Sequence, residues 1–263
     1  MPRLAVLGHP VGHSRSPAMH TAALAELGLG DEWSYEAIDA APDTFEAQVR
    51  AMPGEGFAGA NVTVPHKAAA LALADELSET AREIGAANTL TFADGEIRAE
   101  NTDAEGLLRA LATPAAGKRA LVLGAGGAAR AVVWGLLREG ARVAVWNRSG
   151  LRSQHLCEEL GGEPIAAPPQ EEYELIVNST AVGLGDEDPF VELPLDPAAF
   201  AAGQTVVDMV YGSGPTALLR AAEAAGAVVV DGIEVLVQQG ALSLEIWTGR
   251  PAPLDTMRAA AHP

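Results

Sequence analysis

The chain has 263 residues, of which 48% are hydrophobic and 20% charged, so it can bury a core and a disordered chain is excluded. Its length allows one large domain or two small ones. With 35 acidic and 17 basic residues the net charge is −18, which makes nucleic acid and anionic membrane surfaces poor partners. An anionic ligand would therefore need a local positive site.

Short apolar runs alternate with helix-length segments along the chain, a pattern typical of an α/β fold with mostly parallel strands. In the first part, it predicts strands at residues 3–8, 33–38, 57–63, 88–92 and 96–101 and helices at 16–27, 42–52, 66–76 and 78–85. Ser16 followed by Pro17 predicts a helix start with Ser16 as the N-cap, and Gly28 predicts its end. Asp94-Gly95 predicts a two-residue hairpin turn.

A second strand–helix cycle follows a linker-like stretch at residues 113–117. A helix at 103–111 precedes it; strands are predicted at 119–123, 142–146, 175–178, 206–208 and 227–230 and helices at 127–138, 234–247 and after Pro253. The Pro-rich and acidic segment 187–202 predicts a surface excursion. The sequence thus favours two α/β domains with a break near residues 101–117.

No targeting, membrane or metal signal stands out. The apolar run within residues 1–8 is too short for a signal peptide, and no stretch is long enough for a membrane span. Cys157 is the one cysteine, which excludes an internal disulfide and predicts a reduced thiol in a cytoplasmic protein. His9, His13 and His66 lack the spacing of metal ligands, so no metal site is predicted.

A glycine-rich turn lies between the predicted strand 119–123 and the predicted helix 127–138. It fits the pattern G-x-G-x-x-A and consists of Gly124, Ala125, Gly126, Gly127, Ala128 and Ala129. In such a turn the first glycine makes the bend, the second lets the backbone approach a pyrophosphate, and the helix N-terminus offers free N–H groups. The context favours a dinucleotide site; the alternative is a purely structural turn.

The next predicted strand ends in Asn147-Arg148-Ser149, about twenty residues further on, where an NAD site would place an acidic residue for the ribose. No carboxylate stands there. Because arginine binds phosphate well, Arg148 with Arg152 nearby favours the 2′-phosphate of NADP over NAD. The alternative is that Arg148 is a solvated loop residue.

Three polar clusters mark candidate substrate contacts. In the segment 61–67, Asn61 and Thr63 share one face of a strand, and Lys67 emerges at a helix start as a candidate acid or base. Asp103 opens another helix, where its simplest role is that of a first-turn acid. The simpler alternatives are that Lys67 is a surface lysine and that Asp103 only caps its helix.

Ser14 and Ser16 form the third cluster, at the first strand-to-helix turn. Two hydroxyls beside a helix N-terminus suit a carboxylate ligand, because hydroxyl and backbone N–H donors converge there. In the simpler alternative Ser16 only caps its helix and Ser14 is solvated.

Taken together and in order, these motifs resemble the shikimate dehydrogenase family over essentially the whole chain. The resemblance implies reversible, NADPH-dependent reduction of 3-dehydroshikimate to shikimate, in the biosynthesis of chorismate and aromatic amino acids. It implies that Lys67 moves the proton and that Asp103 pairs with it. The substrate contacts that it implies are Ser14, Ser16, Asn61, Thr63, Asn88, Tyr211 and Gln239.

The same resemblance implies an N-terminal substrate domain, residues 1–101 with a returning C-terminal segment 238–263, and a Rossmann-type NADP domain, residues 102–237. The cofactor contacts that it implies are Gly124, Ala125, Gly126, Gly127, Ala128, Asn147, Arg148, Ser149, Thr180, Val182 and Gly232. A monomer or homodimer is expected.

One segment departs from the family pattern Tyr-x-Pro-x-x-Thr-Pro-Leu-Leu. Here residues 211–219 read Tyr-Gly-Ser-Gly-Pro-Thr-Ala-Leu-Leu, so both usual prolines are replaced and two glycines enter. The added backbone freedom leaves the role of Tyr211 open. Val235 and Leu244 also replace a methionine and a phenylalanine that are frequent in the family, and both exchanges keep an apolar side chain.

Two alternative functions stay open at the level of the sequence. One is a related quinate or shikimate dehydrogenase that uses NAD or NADP. The other is a non-catalytic nucleotide-binding sensor, which the presence of both Lys67 and Asp103 disfavours because a sensor needs neither.

Overall fold

A computed structural model describes residues 1–185, 187–212 and 214–262. Its strands are β1 (Arg3–Gly8), β2 (Ser34–Asp39), β3 (Phe57–Val62), β4 (Glu76–Leu77), β5 (Thr89–Ala93), β6 (Glu96–Glu100), β7 (Arg119–Leu123), β8 (Arg142–Trp146), β9 (Glu163–Pro164), β10 (Leu175–Asn178), β11 (Thr205–Asp208) and β12 (Val228–Asp231). Its α-helices are α1 (Ser16–Glu26), α2 (Phe45–Ala51), α3 (Lys67–Leu73), α4 (Glu79–Ile84), α5 (Asp103–Ala110), α6 (Gly127–Arg138), α7 (Gly150–Leu160), α8 (Pro189–Glu192), α9 (Ala217–Ala224), α10 (Gly232–Thr248) and α11 (Leu254–Ala261).

The chain forms two compact units, and the mixed α/β fold with parallel strands is confirmed. The first unit is Met1–Gly106 together with the chain from Leu236 onward, and the second is Leu107–Val235. The boundaries between the two units lie after Gly106, within α5, and after Val235, within α10. The family resemblance had placed these boundaries after residues 101 and 237.

The first unit is built on a mixed sheet with the strand order β2-β1-β3-β5-β6-β4. β1 runs parallel to β2 and β3, while β5 runs antiparallel to β3 and β6. As a result, the carboxyl ends of β1, β3 and β6 and the start of β5 lie at one edge of the sheet. The chain segments with Ser14, Lys67, Asn88 and Asp103 all adjoin this edge.

The second unit is built on a parallel sheet with the order β12-β11-β10-β7-β8-β9. Alternate strand residues face two buried cores, with Val122 and Val177 in one and Leu121 and Ile176 in the other. Burial on both faces explains why these strands read as continuous apolar runs. The order reverses at β7, and such a switch point is where ligands bind in open α/β sheets.

Local signals in the first unit are confirmed at the hairpin and at the end of α1. Asp94 and Gly95 have φ values of 57° and 83°, the left-handed pair that a two-residue type I′ turn requires. Gly28 follows α1 with φ 69°.

Two predicted segments are wrong in part. The helix predicted at 66–76 ends at Leu73, because Asp75 bonds to Ile97 through backbone and side chain and draws Glu76–Leu77 into the sheet beside β6. The predicted surface excursion 187–202 buries Leu193, Leu195 and Phe200 in the core of the second unit. Its Pro-rich composition concealed these apolar anchors. Among the described residues, no helix is both long and apolar enough to cross a membrane.

Candidate functional site

Lys67 and Asp103 form a buried ion pair in the first unit. Lys67 is the first residue of α3, and its Nζ donates to Asp103 Oδ2 at 2.5 Å. Their side chains are only 13% and 6% exposed. A lysine at a helix start is opposed by the helix dipole, so a carboxylate partner is needed to hold the ammonium group there. The pairing therefore turns two residues with simple alternative roles into one candidate acid–base centre.

Asn88 lies at the centre of a buried polar network beside this pair. Its Nδ2 donates to Asp103 Oδ1 at 2.9 Å, to Thr102 Oγ1 at 2.9 Å and to Gln239 Oε1 at 3.1 Å. Its Oδ1 accepts from the backbone N–H of Thr102 at 2.8 Å. The Asp103 carboxylate is thus fixed from two sides, because one oxygen meets Lys67 and the other meets Asn88.

Asn61 belongs to the same network, in a way that limits its predicted contact with substrate. Its Nδ2 donates to Ser243 Oγ at 2.9 Å, while its Oδ1 accepts from the Tyr35 hydroxyl at 2.8 Å. Nδ2 also lies 3.3 Å from Thr89 Oγ1 and from the Asn88 carbonyl oxygen, so both amide hydrogens have protein acceptors. A substrate could reach Asn61 only through its carbonyl oxygen.

The sequence interpretation missed four members of this network: Tyr35, Thr89, Thr102 and Ser243. Helical periodicity could have indicated Ser243, because it lies four residues after Gln239 and on the same face of α10. Thr89 directly follows the predicted substrate residue Asn88 in the sequence, and Thr102 directly precedes Asp103. Nothing local to Tyr35 distinguishes it from a core residue.

Ser14 and Ser16 lie at the first strand-to-helix turn, as the sequence placed them, but their roles in the turn differ from the simpler alternative. Arg15 occupies the N-cap position of α1, and Ser16 is the first helical residue, 3% exposed. The backbone N–H of Ser16 donates to Ser14 Oγ at 3.3 Å. The expectation that Ser16 caps the helix is wrong, because the Met19 N–H donates to the Arg15 carbonyl at 3.1 Å, which makes Arg15 the N-cap and Ser16 the first helical residue.

Thr63 continues the line of β3 beyond its last paired residue. Its backbone N–H donates to the Leu7 carbonyl at 2.8 Å, which holds it against the end of β1. Its side chain is half-buried and packs so closely on Gly8 that a Cβ there would lie 2.4 Å from Thr63 Cγ2. The end of β1 is therefore shaped to hold Thr63 in place.

The glycine-rich turn of the second unit has the geometry that a pyrophosphate requires. Gly124 has φ 115°, and a Cβ there would lie 2.8 Å from Ser179 Oγ, so only glycine fits. A Cβ on Gly126 would meet nothing within 4 Å, and Gly126 precedes α6 without a side-chain cap. The open space and the uncapped N–H groups leave room and donors for phosphate oxygens. Ala129 is fully buried and brings α6 close to the sheet.

Arg148 follows β8 at the same edge of this sheet. Its side chain is 87% exposed, and its Nη1 lies 3.8 Å from Glu192 Oε2. Asn147 Nδ2 donates to the carbonyl of Ser149 at 3.0 Å and closes the turn around Arg148. An extended guanidinium beside the dinucleotide turn fits a 2′-phosphate.

Three further predicted cofactor residues follow strands of the parallel sheet: Thr180 and Val182 lie after β10, and Gly232 lies after β12. Thr180 Oγ1 donates to Asn178 Oδ1 at 2.7 Å and accepts from the Val182 N–H at 3.1 Å, which fixes the loop after β10. A Cβ on Gly232 would lie 2.7 Å from the Met209 carbonyl oxygen, so this position needs glycine for close packing as well. Tyr211 follows β11, and Ser213 in its loop lies outside the described residues.

Two of the three histidines singled out in the sequence, His9 and His66, have structural partners. His66 Nε2 lies 2.6 Å from the Ala40 carbonyl oxygen and its ring stacks on Phe45. His9 Nδ1 lies 3.0 Å from Asp39 Oδ1. Within the described part of the chain, no group of three His, Cys, Asp or Glu side chains is placed to hold a metal ion.

Family models match three segments of this chain. Residues 6–90 match the shikimate dehydrogenase substrate binding domain, residues 107–182 match shikimate / quinate 5-dehydrogenase, and residues 232–262 match the shikimate 5′-dehydrogenase C-terminal domain. A Rossmann-type unit together with a unit that holds a lysine–aspartate pair is typical of nucleotide-dependent oxidoreductases. All three family models indicate shikimate dehydrogenases within that class.

Curated relatives match nearly the whole chain. The shikimate dehydrogenase (NADP(+)) of Thermus thermophilus is 45% identical, covering 100% of this chain and 98% of its own length. That of Methanopyrus kandleri is 43% identical, covering 97% and 93%. The crystal structure of Thermus thermophilus shikimate 5-dehydrogenase in complex with NADP(H) and shikimate superposes with a TM-score of 0.89 at 44% identity, covering 99% and 98%. The chain belongs to the shikimate dehydrogenase family.

Proposed function

We propose that this chain is an NADP-dependent shikimate dehydrogenase, which interconverts 3-dehydroshikimate and shikimate. The observation that carries this function is the buried Lys67–Asp103 pair, held by Asn88 at one edge of the first unit. The names and ligands of the relatives agree with this substrate and this cofactor.

In the proposed reaction, Lys67 moves the proton. When NADPH is bound, its nicotinamide supplies the hydride that reduces the carbonyl carbon of the substrate. The carbonyl oxygen must then gain a proton, which Lys67 Nζ donates, and in the reverse direction Lys67 accepts the proton from the hydroxyl. Asp103 keeps Nζ in place through one carboxylate oxygen, while its other oxygen is fixed by Asn88.

The other predicted residues orient the substrate. Ser14 and Ser16 bind its carboxylate, through hydroxyls at a helix start where backbone dipoles favour an anion. Thr63, Asn88, Gln239 and Tyr211 contact its hydroxyl groups. Asn61 acts chiefly through the network, since both its amide hydrogens have protein acceptors.

The second unit binds NADP in this proposal. Gly124, Ala125, Gly126, Gly127 and Ala128 surround the pyrophosphate, and Asn147, Arg148 and Ser149 hold the adenosine 2′-phosphate. Thr180, Val182 and Gly232 line the remaining cofactor path. The first unit, Met1–Gly106 with the chain from Leu236 onward, is the substrate domain, and the second unit, Leu107–Val235, is the cofactor domain. A cytoplasmic location and a monomeric or homodimeric state complete the proposal.

An assay with two substrates and two cofactors tests this function. Shikimate and quinate are each offered with NADP and with NAD, and reduction of the cofactor is followed by absorbance. We expect the highest kcat/KM for shikimate with NADP. A preference for quinate would support the second candidate, which the match of residues 107–182 to a shikimate / quinate family model favours. Tight NADP binding without turnover of either substrate would leave only the sensor.

Arg148→Ala tests the cofactor choice separately. We expect the KM for NADP to rise about tenfold to a hundredfold, because a charge-assisted contact with phosphate is lost, while the KM for NAD changes little. Arg142→Ala is the matched control, since Arg142 is an exposed arginine at the opposite end of β8. An equal loss for NADP and NAD would contradict a contact between Arg148 and the 2′-phosphate.

A further inference from the structure

Three buried hydroxyl groups lie together beside Asn88 in the first unit. They belong to Thr89 at the start of β5, Thr102 just before α5 and Ser243 on α10, and these residues are 0%, 4% and 0% exposed. The oxygens of Thr89 and Ser243 are 2.8 Å apart, those of Thr102 and Ser243 3.3 Å, and those of Thr89 and Thr102 3.4 Å. Because burying a hydroxyl without a hydrogen-bond partner is costly, each of the three hydrogens needs an acceptor.

The side-chain amide of Asn88 contacts two of these hydroxyls, one at each of its ends. Its Nδ2 donates to Thr102 Oγ1 at 2.9 Å, and its Oδ1 accepts from Thr89 Oγ1 at 3.1 Å. The orientation of this amide is fixed independently, because the Thr102 backbone N–H donates to Oδ1 while Asp103 Oδ1 accepts from Nδ2. The amide nitrogen can only donate and the amide oxygen can only accept, so Asn88 sets the direction in which the hydroxyl hydrogens point.

With Asn88 in that orientation, the three hydroxyl hydrogens can close a ring. Asn88 Nδ2 donates to Thr102, whose hydroxyl donates to Ser243. Ser243 donates to Thr89, which donates back to Asn88 Oδ1. Each hydroxyl then gives one hydrogen and receives one, and hydrogen bonds that run in one direction strengthen one another in a dry setting. Asn61 Nδ2 is a further donor to Ser243 Oγ, at 2.9 Å.

The Gln239 carbonyl oxygen is a second acceptor within reach of the Ser243 hydroxyl, at 3.1 Å. If Ser243 donated there, the hydrogen in the 2.8 Å contact would come from Thr89, and Thr89 could no longer donate to Asn88. The hydroxyl donor left for Asn88 Oδ1 would be Thr102, which already accepts from the other end of the same amide. A hydroxyl placed between both ends of one amide meets neither in line, so the ring has the better-directed bonds.

We propose that this ring positions Asn88 for the reaction and that Thr89 is a positioning residue, because its hydroxyl supplies the hydrogen that returns to Asn88 Oδ1. The effect reaches the acid–base centre because Asn88 Nδ2 also donates to Asp103, which bonds Lys67. Thr89 acts through Asn88 and not on the substrate. The proposal rests on the proposed function, which is the source of the roles of Asn88, Asp103 and Lys67.

Two substitutions of Thr89 separate its hydroxyl from its methyl group. Thr89→Val keeps the shape of the side chain and opens the ring, whereas Thr89→Ser keeps the hydroxyl and lacks the methyl group. We expect Thr89→Val to lower kcat/KM for shikimate about tenfold, because Asn88 loses a buried hydrogen bond, and to change the KM for NADP less than twofold. Thr89→Ser should recover most of the lost kcat/KM. A serine variant as impaired as the valine variant would assign Thr89 to packing and overturn its role.

Thr91 provides a matched control two residues further along β5. It lies on the same face of the strand, and among the described residues its buried Oγ1 has no hydrogen-bond partner. Thr91→Val should leave kcat/KM unchanged and should not lower the free energy of unfolding, because it removes an unsatisfied buried hydroxyl. An equal loss of kcat/KM in both valine variants would overturn the role of Thr89, because the loss would then come from valine in the strand.

Ser243→Ala tests whether the hydroxyls act as one ring. Ser243 and Thr89 are neighbours in the ring, so removing either hydroxyl opens it. Once the ring is open, a second substitution should cost little. We therefore expect Thr89→Val combined with Ser243→Ala to lower kcat/KM less than twofold beyond the more impaired single variant. Losses that multiply in the double variant would overturn the ring, because the two hydroxyls would then act separately.

Nuclear magnetic resonance of the Asn88 side-chain amide gives a readout that does not depend on activity. Its hydrogens are bonded to Thr102 and Asp103, so they should exchange slowly with solvent. We expect faster exchange in Thr89→Val and unchanged exchange in Thr91→Val. Equal exchange in the wild type and in Thr89→Val would overturn the ring. If the wild type turned over no substrate, the proposed function would fail, and this measurement would still decide whether Thr89 holds Asn88.

Discussion

Lys67 Nζ lies 2.5 Å from Asp103 Oδ2, and the two side chains are only 13% and 6% exposed. Lys67→Ala should therefore lower kcat for shikimate about 10²- to 10⁴-fold, the usual loss when an acid or base is removed. The KM for NADP should change little. The measurement is steady-state kinetics with both substrates varied.

The chain offers a matched control for this variant, because it has only one other lysine. Lys118 lies in the second unit, and its Nζ donates to Thr113 Oγ1 in the linker before β7. Lys118→Ala should leave kcat unchanged. Wild-type turnover in Lys67→Ala, or an equal loss in both variants, would remove Lys67 from the reaction.

His20 is a second residue with a measurable signature, in folding stability. Its ring is fully buried, stacks on Tyr35 at 4.2 Å, and both of its nitrogens lack a hydrogen-bond partner. Burial lowers the pKa of His20 from 6.5 to about 3. Between these values the unfolded chain binds a proton that the folded chain does not, so stability is full above pH 6.5 and falls as the pH drops toward 3.

His20→Phe keeps a stacked ring and removes the titration. We expect the free energy of unfolding to fall less between pH 7 and pH 5 than in the wild type, by about 2 kcal/mol, since each pH unit below 6.5 costs about 1.4 kcal/mol. Urea unfolding at both pH values measures this. Asp208, with a raised pKa, contributes the opposite slope between pH 6 and 4, but equally in both proteins.

At the scale of elements, α5 and α10 approach each other closely within the first unit. A Cβ on Gly106 would lie 2.7 to 2.9 Å from the Cβ, backbone N and Cα of Gln239. Gly106→Ala should therefore separate the two segments and lower stability by about 1–3 kcal/mol, the usual cost of overpacking. Because Gln239 Oε1 accepts from Asn88, the KM for shikimate should rise as well.

Gly150→Ala is the matched helical control, since a Cβ there would meet nothing within 4 Å. Thermal unfolding and shikimate kinetics of the two variants make the comparison. An unchanged melting temperature in Gly106→Ala would mean that the two helices have room to adjust and that Gly106 is not required for packing.

Elements with a local cause could be predicted from the sequence. The Asp94-Gly95 hairpin and the glycine-rich turn before α6 follow from backbone conformations that few residues adopt. The two-residue strands β4 and β9 could not be predicted, because pairing with distant segments creates them. The burial of Phe200 likewise depends on partners from β10 and α9 that no local pattern reveals.

The same distinction applies to the candidate site. Lys67 and Asp103 each have a simple local role, and only the antiparallel pairing of β3, β5 and β6 brings them together. The family motifs therefore indicated the members of the site, whereas their bonding pattern needed the fold. Asn61 shows the difference: its motif indicates a substrate contact, and its bonds to Ser243 and Tyr35 indicate a supporting role.

For the whole molecule, the charge of −18 disfavours anionic ligands in general, yet both proposed ligands are anions. Each unit has a local group of positive charge or helix N–H donors that can attract an anion. The first has Lys67 and the start of α1, and the second has Arg148 and the uncapped start of α6. Since the two anion sites lie in different units, the two ligands should protect different parts of the chain.

Hydrogen exchange with each ligand alone tests this division. A ligand that binds only the folded state slows exchange where it stabilises local structure, and it stabilises the protein by about 2.7 kcal/mol at a hundred times its Kd. NADP alone should slow exchange at residues 124–128 and 147–149, and shikimate alone at 14–16, 61–67 and 101–103. Protection of residues 124–149 by shikimate alone would contradict the assignment of substrate to the first unit, because it would mean that shikimate binds to and stabilises the second unit.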